Sequence, residues 1–214
     1  MKLTSIVAAA TLALIAGSAS AATYTVAGTS DPFLAGAPTG AQIQFDTGDI
    51  DTAPAESPVF ISVGPTARTF VFSNVAGDAN NVPGGGGPGP AGGSLTGSNS
   101  FTSIGTSFNE LVAAYPTALP FDSLIGVFTG GTGPSGDLGK VFDIGFGGTF
   151  TAPAGATGLY LATVDSYQWN NNSGAFTVDV AAVPEPATWA MMLFGLGAIG
   201  AGLRMSRRAQ PAAV

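Results

Sequence analysis

The chain contains no cysteine and no histidine. Without cysteine there is no disulfide and no thiolate nucleophile. Without histidine it lacks the commonest general base and the commonest transition-metal ligand. Positive charge is scarce, with six Lys and Arg against 13 Asp and Glu. Long helical periods are also missing between the two ends, where residues 109–115 offer one or two turns at most, with Ser107 as a cap.

The two ends are the exceptions. Residues 1–21 carry Lys2, an apolar stretch over 3–16 and a small-x-small site at Ala19-Ser20-Ala21. This is the pattern of a secretory signal peptide, cleaved between Ala21 and Ala22. At the other end, Pro184-Glu185-Pro186 forms a stiff extended plug, because each proline fixes φ and keeps the preceding residue out of the helical region. Residues 187–203 follow as 17 uncharged residues, at the short end of what spans a bilayer as a helix. Arg204, Arg207 and Arg208 close the segment and hold that end in the cytoplasm, with 209–214 as a tail.

The order Pro184-Glu185-Pro186, Trp189, glycine-rich apolar helix and Arg204, Arg207, Arg208 over residues 183–208 resembles the PEP-CTERM sorting signal of Gram-negative surface proteins. That resemblance implies handling by an exosortase-type membrane enzyme and cleavage near Pro184–Pro186. It also implies an inner-membrane anchor before processing and delivery to the envelope or extracellular matrix afterwards. A plain C-terminal anchor that is never cut is the alternative.

Residues 22–182 are therefore the exported part, one domain's worth of chain. Setting aside Lys2, Glu185 and the three tail arginines leaves 12 acidic residues against Arg68 and Lys140. A surface so acidic repels nucleic acid and anionic lipid, and suits cations, neutral sugars or plain solubility. With 32 glycines and 15 prolines in the chain, and short runs rich in Val, Thr and Phe, the stretch reads as all-β. Strands are expected over 23–27, 59–63, 68–74, 124–128, 140–144, 148–152, 159–164 and 175–180. Short strands and turn-rich joins suggest an antiparallel β-sandwich. Two segments read as irregular: an acidic loop over 47–57 with Asp49, Asp51 and Glu56, and a Gly/Pro-rich flexible loop over 77–100. The glycine run is not a phosphate loop, since no Lys-Ser/Thr follows it.

The stretch 159–180 collects a carboxylate and several amides at the mouth of a hairpin: Asp165, Gln168, Asn171 and Asn172, then Ser173-Gly174. Oxygen donors on a turn are what calcium requires. Asp and Asn are also ordinary turn residues, because their side chains bond their own backbone. Tyr167 and Trp169 offer rings that stack on a sugar's apolar face. The hairpin resembles that of calcium-dependent galactose-binding bacterial lectins, which have a galactose-binding-like β-sandwich. The likeness extends over 119–180. It implies calcium held by Asp165, Asn171 and Asn172, with Gln168 or Trp169 at a backbone-carbonyl position. A further carbonyl would come from near 63–65. The family's polar sugar contacts from its early loop have no counterpart here.

An enzyme finds little support. No His or Cys can activate or act as a nucleophile. The acidic pool of Asp49, Asp51, Asp137, Asp143 and Asp165 shows no motif setting two carboxylates across a cleft. The sequence thus predicts an exported, carbohydrate-binding surface protein organised by calcium. A purely structural matrix or biofilm protein is the first alternative and a glycan-active enzyme the second.

Overall fold

The computed structural model describes residues 20–44, 48–65, 68–81, 87, 89–93, 119–130, 141–165, 168–183, 194–202 and 204. The chain divides into two compact units, residues 19–185 and residues 1–18 with 186–214. In the first unit the strands are β1 (Ala21–Ala27), β2 (Gln42–Gln44), β3 (Ile50–Thr52), β4 (Val59–Ser62) and β5 (Thr69–Asn80). They continue with β6 (Leu124–Thr129), β7 (Val141–Asp143), β8 (Gly148–Thr151), β9 (Gly158–Thr163) and β10 (Ser173–Val183). One four-stranded sheet runs β1-β10-β5-β8, another runs β4-β9-β6-β7, and β2-β3 stands as a separate hairpin. Every pairing is antiparallel.

The alternation seen in the sequence sets the inner faces. Phe70 and Phe72 of β5, Phe176, Val178 and Val180 of β10, and Leu159 and Leu161 of β9 meet in one core. Its centre is aromatic: Phe142 stacks on Phe128 at 5.0 Å and lies 4.5 Å from Phe150, with Phe72 edge-on to Phe150 at 5.6 Å. Gly126 gives Phe142 its room, since a Cβ there would fall 2.3 Å from the ring. The reverse face of the second sheet is covered too. Ile125, Val127, Val141, Ala162 and Val164 pack against Phe33, Leu34, Ile43, Ala53 and Trp169. All six residues of β6 are therefore buried, which is why it reads as a continuous apolar run.

The antiparallel sandwich expected from the sequence is present. Two of its details differ. The segment 77–100 is not one loop from its start: Gly77–Asn80 continue β5, pairing with Ser173–Phe176 of β10. A backbone ladder needs no apolar side chains, and Gly77 at φ 95° lets Ala175 approach where a Cβ would lie 2.2 Å from its carbonyl oxygen. Residues 92 and 93 lie against the chain before β6, where Gly93 N–H donates to Phe121 O at 2.8 Å. The acidic loop 47–57 likewise contains β3, whose Asp51 is fully buried. In the second unit, residues 194–202 and 204 are helical and exposed, while 187–193 and 203 of the expected span lie outside the described residues. Among the described residues no helix is long and apolar enough to cross a membrane.

Phe176 is fully buried between the sheets. Phe176→Ala is expected to cost about 3–5 kcal/mol through the cavity it leaves. A urea titration should show the midpoint falling with its slope unchanged; a loss below about 1 kcal/mol would contradict the inter-sheet core.

Candidate functional site

One end of the sandwich gathers the ends of β1, β5 and β9 with the starts of β6 and β10. The connection from β9 to β10 carries most of the residues singled out in the sequence. It turns through a single 3-10 turn, Trp169–Asn171, entered from Gln168 in the left-handed region at φ 71°. Asn171 and Asn172 N–H groups donate back to Gln168 O and Trp169 O at 3.1 and 3.0 Å.

The turn is held from below by Asp51 of β3. Its Oδ2 accepts the Trp169 N–H and its Oδ1 the Asn170 N–H, both at 3.1 Å. Asn170 Nδ2 donates to Ile50 O at 3.0 Å. Trp169 is fully buried, edge-on to Phe33 at 5.8 Å, and its indole N–H donates to Thr163 O at 3.0 Å. Trp169 is thus a core anchor under the turn and not an exposed stacking ring, which corrects the expectation for it. Polar neighbours made it look like a loop aromatic, and the Phe33–Ile43 layer that covers it comes from far away in sequence.

The amides are oriented by their donors. Asn172 Nδ2 donates to Gly28 O at 3.1 Å, and Asn171 Nδ2 to Gln168 Oε1 at 3.0 Å. The backbone carbonyl of Gly28 accepts only from a donor, so Asn172 must direct Oδ1 elsewhere; Asn171 turns its amino group to the Gln168 side-chain oxygen. Both Oδ1 atoms are buried and accept no hydrogen bond. Asp165 is 4% exposed at the end of β9. Gln168 spends its side-chain oxygen on Asn171, so of that residue only the backbone carbonyl position remains as a donor, and it already accepts Asn171 N–H. The carbonyl expected near 63–65 is at the wrong end: Val63 N–H donates to Thr157 O, ahead of the start of β9. It is the end of β5, Asn80 opposite Ser173, that borders the hairpin. Tyr167, Pro184, Glu185, Pro186, Trp189, Arg207 and Arg208 lie outside the described residues, whereas Ala21 and Ala22 open β1 and Arg204 is helical and exposed.

Three further carboxylates surround this turn. Asp31 is fully buried before the Pro32–Leu34 turn, where its Oδ1 accepts Phe33 N–H at 2.7 Å and its Oδ2 accepts none. Burial first, then the Asp51 charge, hold its carboxyl well above the usual range. Burial pushes Asp51 up to about 7 against the lowering effect of its two N–H donors. Asp122 precedes β6 and is raised to about 6, again by burial first, with an Asn81 N–H opposing and the Asp165 charge adding. Among the described residues no three acidic groups gather tightly enough to hold a metal by themselves. Any cation site at this end must draw on amide oxygens as well. Sequence reading passed over Asp31 and Asp122. Asp-Pro-Phe and Pro-Phe-Asp-Ser look like ordinary turn signals, and only the folded chain brings them beside Asp165.

Comparison with known proteins speaks to the other end of the chain. Residues 182–208 match the family model of the PEP-CTERM protein-sorting motif. The chain carries that sorting motif. It implies export to the cell envelope or surface, with processing by an exosortase. No curated protein matches the sequence. Among solved structures, the chain is similar to an EclA N-terminal domain described as a PllA-like lectin, at 15% identity and a TM-score of 0.31, over 74% of this chain and 93% of that one.

Asp31 and Asp51 keep protons in the folded chain that the unfolded chain gives up near pH 4. Stability in chelator is therefore greatest at the acid end and declines as pH rises through neutrality. Melting temperatures in EDTA should fall from pH 5.5 to pH 8, and Asp31→Asn should flatten the decline. A profile that rises over this range would contradict the burial of these acids.

Proposed function

We propose that this chain is a non-enzymatic envelope protein whose exported sandwich binds carbohydrate through a calcium-organised end loop. The observation that carries this reading is the pair of buried amide oxygens, Asn171 Oδ1 and Asn172 Oδ1. Neither accepts a hydrogen bond, and both stand in the β9–β10 connection that also carries Asp165. An unsatisfied buried amide oxygen costs about 1–3 kcal/mol, so two in one turn call for an acceptor-seeking partner. Calcium takes hard oxygens, mixing carboxylates with amide and backbone carbonyls, and it tolerates irregular geometry. The donor set fits it. Asp165, Asn171 and Asn172 would hold the ion, and the exported stretch, with 12 acidic residues and two basic ones, favours a cation over an anion.

Bound calcium would offer open coordination positions to vicinal hydroxyls of a sugar. The chain's own part is to fix the turn through Asp51 and Trp169 so that the amide oxygens are already placed. The sorting motif implies export to the envelope or surface, where polysaccharide would be the ligand of such a site.

Calcium at about a hundred times its dissociation constant is expected to stabilise the chain by about 2.7 kcal/mol, a rise of roughly 5–10 °C in melting temperature. Asp165→Ala should abolish the rise. On a glycan array, binding should appear with calcium and vanish with EDTA. Binding indifferent to EDTA would contradict the proposed role of the ion.

A further inference from the structure

The sorting motif begins inside the sandwich. It covers residues 182–208, and β10 runs on to Val183, so Ala182 and Val183 belong to both. They stand opposite Phe70 and Thr69 at the start of β5. On their other side the ladder has already stopped, since β1 opens at Ala21, opposite Ala181. Among the described residues, the end of β10 is therefore paired on one side alone. Pro184 comes next, and a proline has no N–H to continue a ladder.

The start of β5 has anchors that do not depend on β10. Thr69–Phe72 pair with β8 on the far side, Thr69 opposite Thr151. Just before them, Arg68 donates to the carbonyls of Ala152 and Pro153, and Ala152 N–H donates back to Arg68 O at 2.7 Å. The ladder between β10 and β5 is also divided. Its register shifts between Thr177 and Asp179, so Asp179–Val183 form a run separate from Ser173–Thr177, which borders the candidate site. A strand end paired on one side and set off by an irregularity is where a ladder opens first.

An enzyme that cuts a chain takes it as an extended segment, bound through main-chain N–H and C=O groups. A cleft that encloses residues 182 and 183 has no room for β5 beside them. Resting on the processing that the motif implies, and independently of the calcium reading, we propose that the exosortase takes Ala182 and Val183 only after they leave β5. Docking of the end of β10 and processing of the tail then exclude one another. The rest of the sandwich, with its candidate site, stays folded while the end is released.

The chain has no cysteine, so an introduced pair forms one defined bridge. Thr69 and Val183 stand directly opposite each other, half-buried and outside the core. Such a pair has Cα atoms about 4.5–5.5 Å apart, a span that a disulfide closes. The test compares full-length Thr69→Cys/Val183→Cys with Ala76→Cys/Thr177→Cys, which bridges exposed positions in the other run of the same ladder. Each is kept oxidised or reduced in inner membranes of the producing cell, and intact-mass spectrometry follows both the bridge and the released sandwich. The expected result is loss of cleavage in the oxidised Thr69/Val183 pair, restored by reduction, with the Ala76/Thr177 pair cut in both states. Equal cleavage of the oxidised and reduced end pair overturns the proposal. A block by both bridges overturns it too, because the whole sandwich would then have to open. An uncut wild-type chain in the same membranes overturns the processing itself, and the proposal with it.

Discussion

The candidate site depends on one pair of hydrogen bonds, from the Trp169 and Asn170 N–H groups to the buried carboxylate of Asp51. A turn of three residues has no stability of its own. Here it is clamped from a strand 118 residues away in sequence, and its Trp is sunk into the layer behind the second sheet. The amino groups of Asn171 and Asn172 donate to Gln168 Oε1 and Gly28 O, and both Oδ1 atoms are buried without a hydrogen bond.

The clamp explains why this domain covers its second sheet on both faces. A sandwich needs only one buried face per sheet. The Pro32–Leu34 turn and the β2-β3 hairpin add a further layer, and that layer brings Asp31 and Asp51 under the site. Both acids are held above the ordinary carboxylate range, chiefly by burial. The layer thus supports the loop at a cost in buried charge that grows with pH. A cation above it would offset that cost in part, by favouring the ionised form of acids that burial otherwise keeps protonated.

Much of this was legible in the chain. Alternating Phe176, Val178 and Val180 gave β10, and the apolar run from Leu124 gave β6, each within a few residues of the folded strand. The sorting end could be read directly, because its recognition depends on a linear order of residues. That Asp165, Asn171 and Asn172 share the β9–β10 connection could also be read, since it is local. What escaped were the long-range partners. Nothing local in Asp49-Ile50-Asp51 says that Asp51 will cap a turn beyond position 165, and nothing around Trp169 says that Phe33 will cover it. Gly77–Asn80 looked too poor in side chains to take a place, yet a strand at the centre of a ladder is held by its backbone.

The claim on which the account stands is that the hairpin amides point their oxygens at one cation. A crystal structure of the exported domain grown with calcium, phased on the metal's anomalous signal, tests it most directly. The account predicts an ion with Asp165, Asn171 Oδ1 and Asn172 Oδ1 about 2.3–2.6 Å away. An end loop in which those oxygens accept hydrogen bonds from protein donors or water, with no anomalous peak beside them, would contradict it.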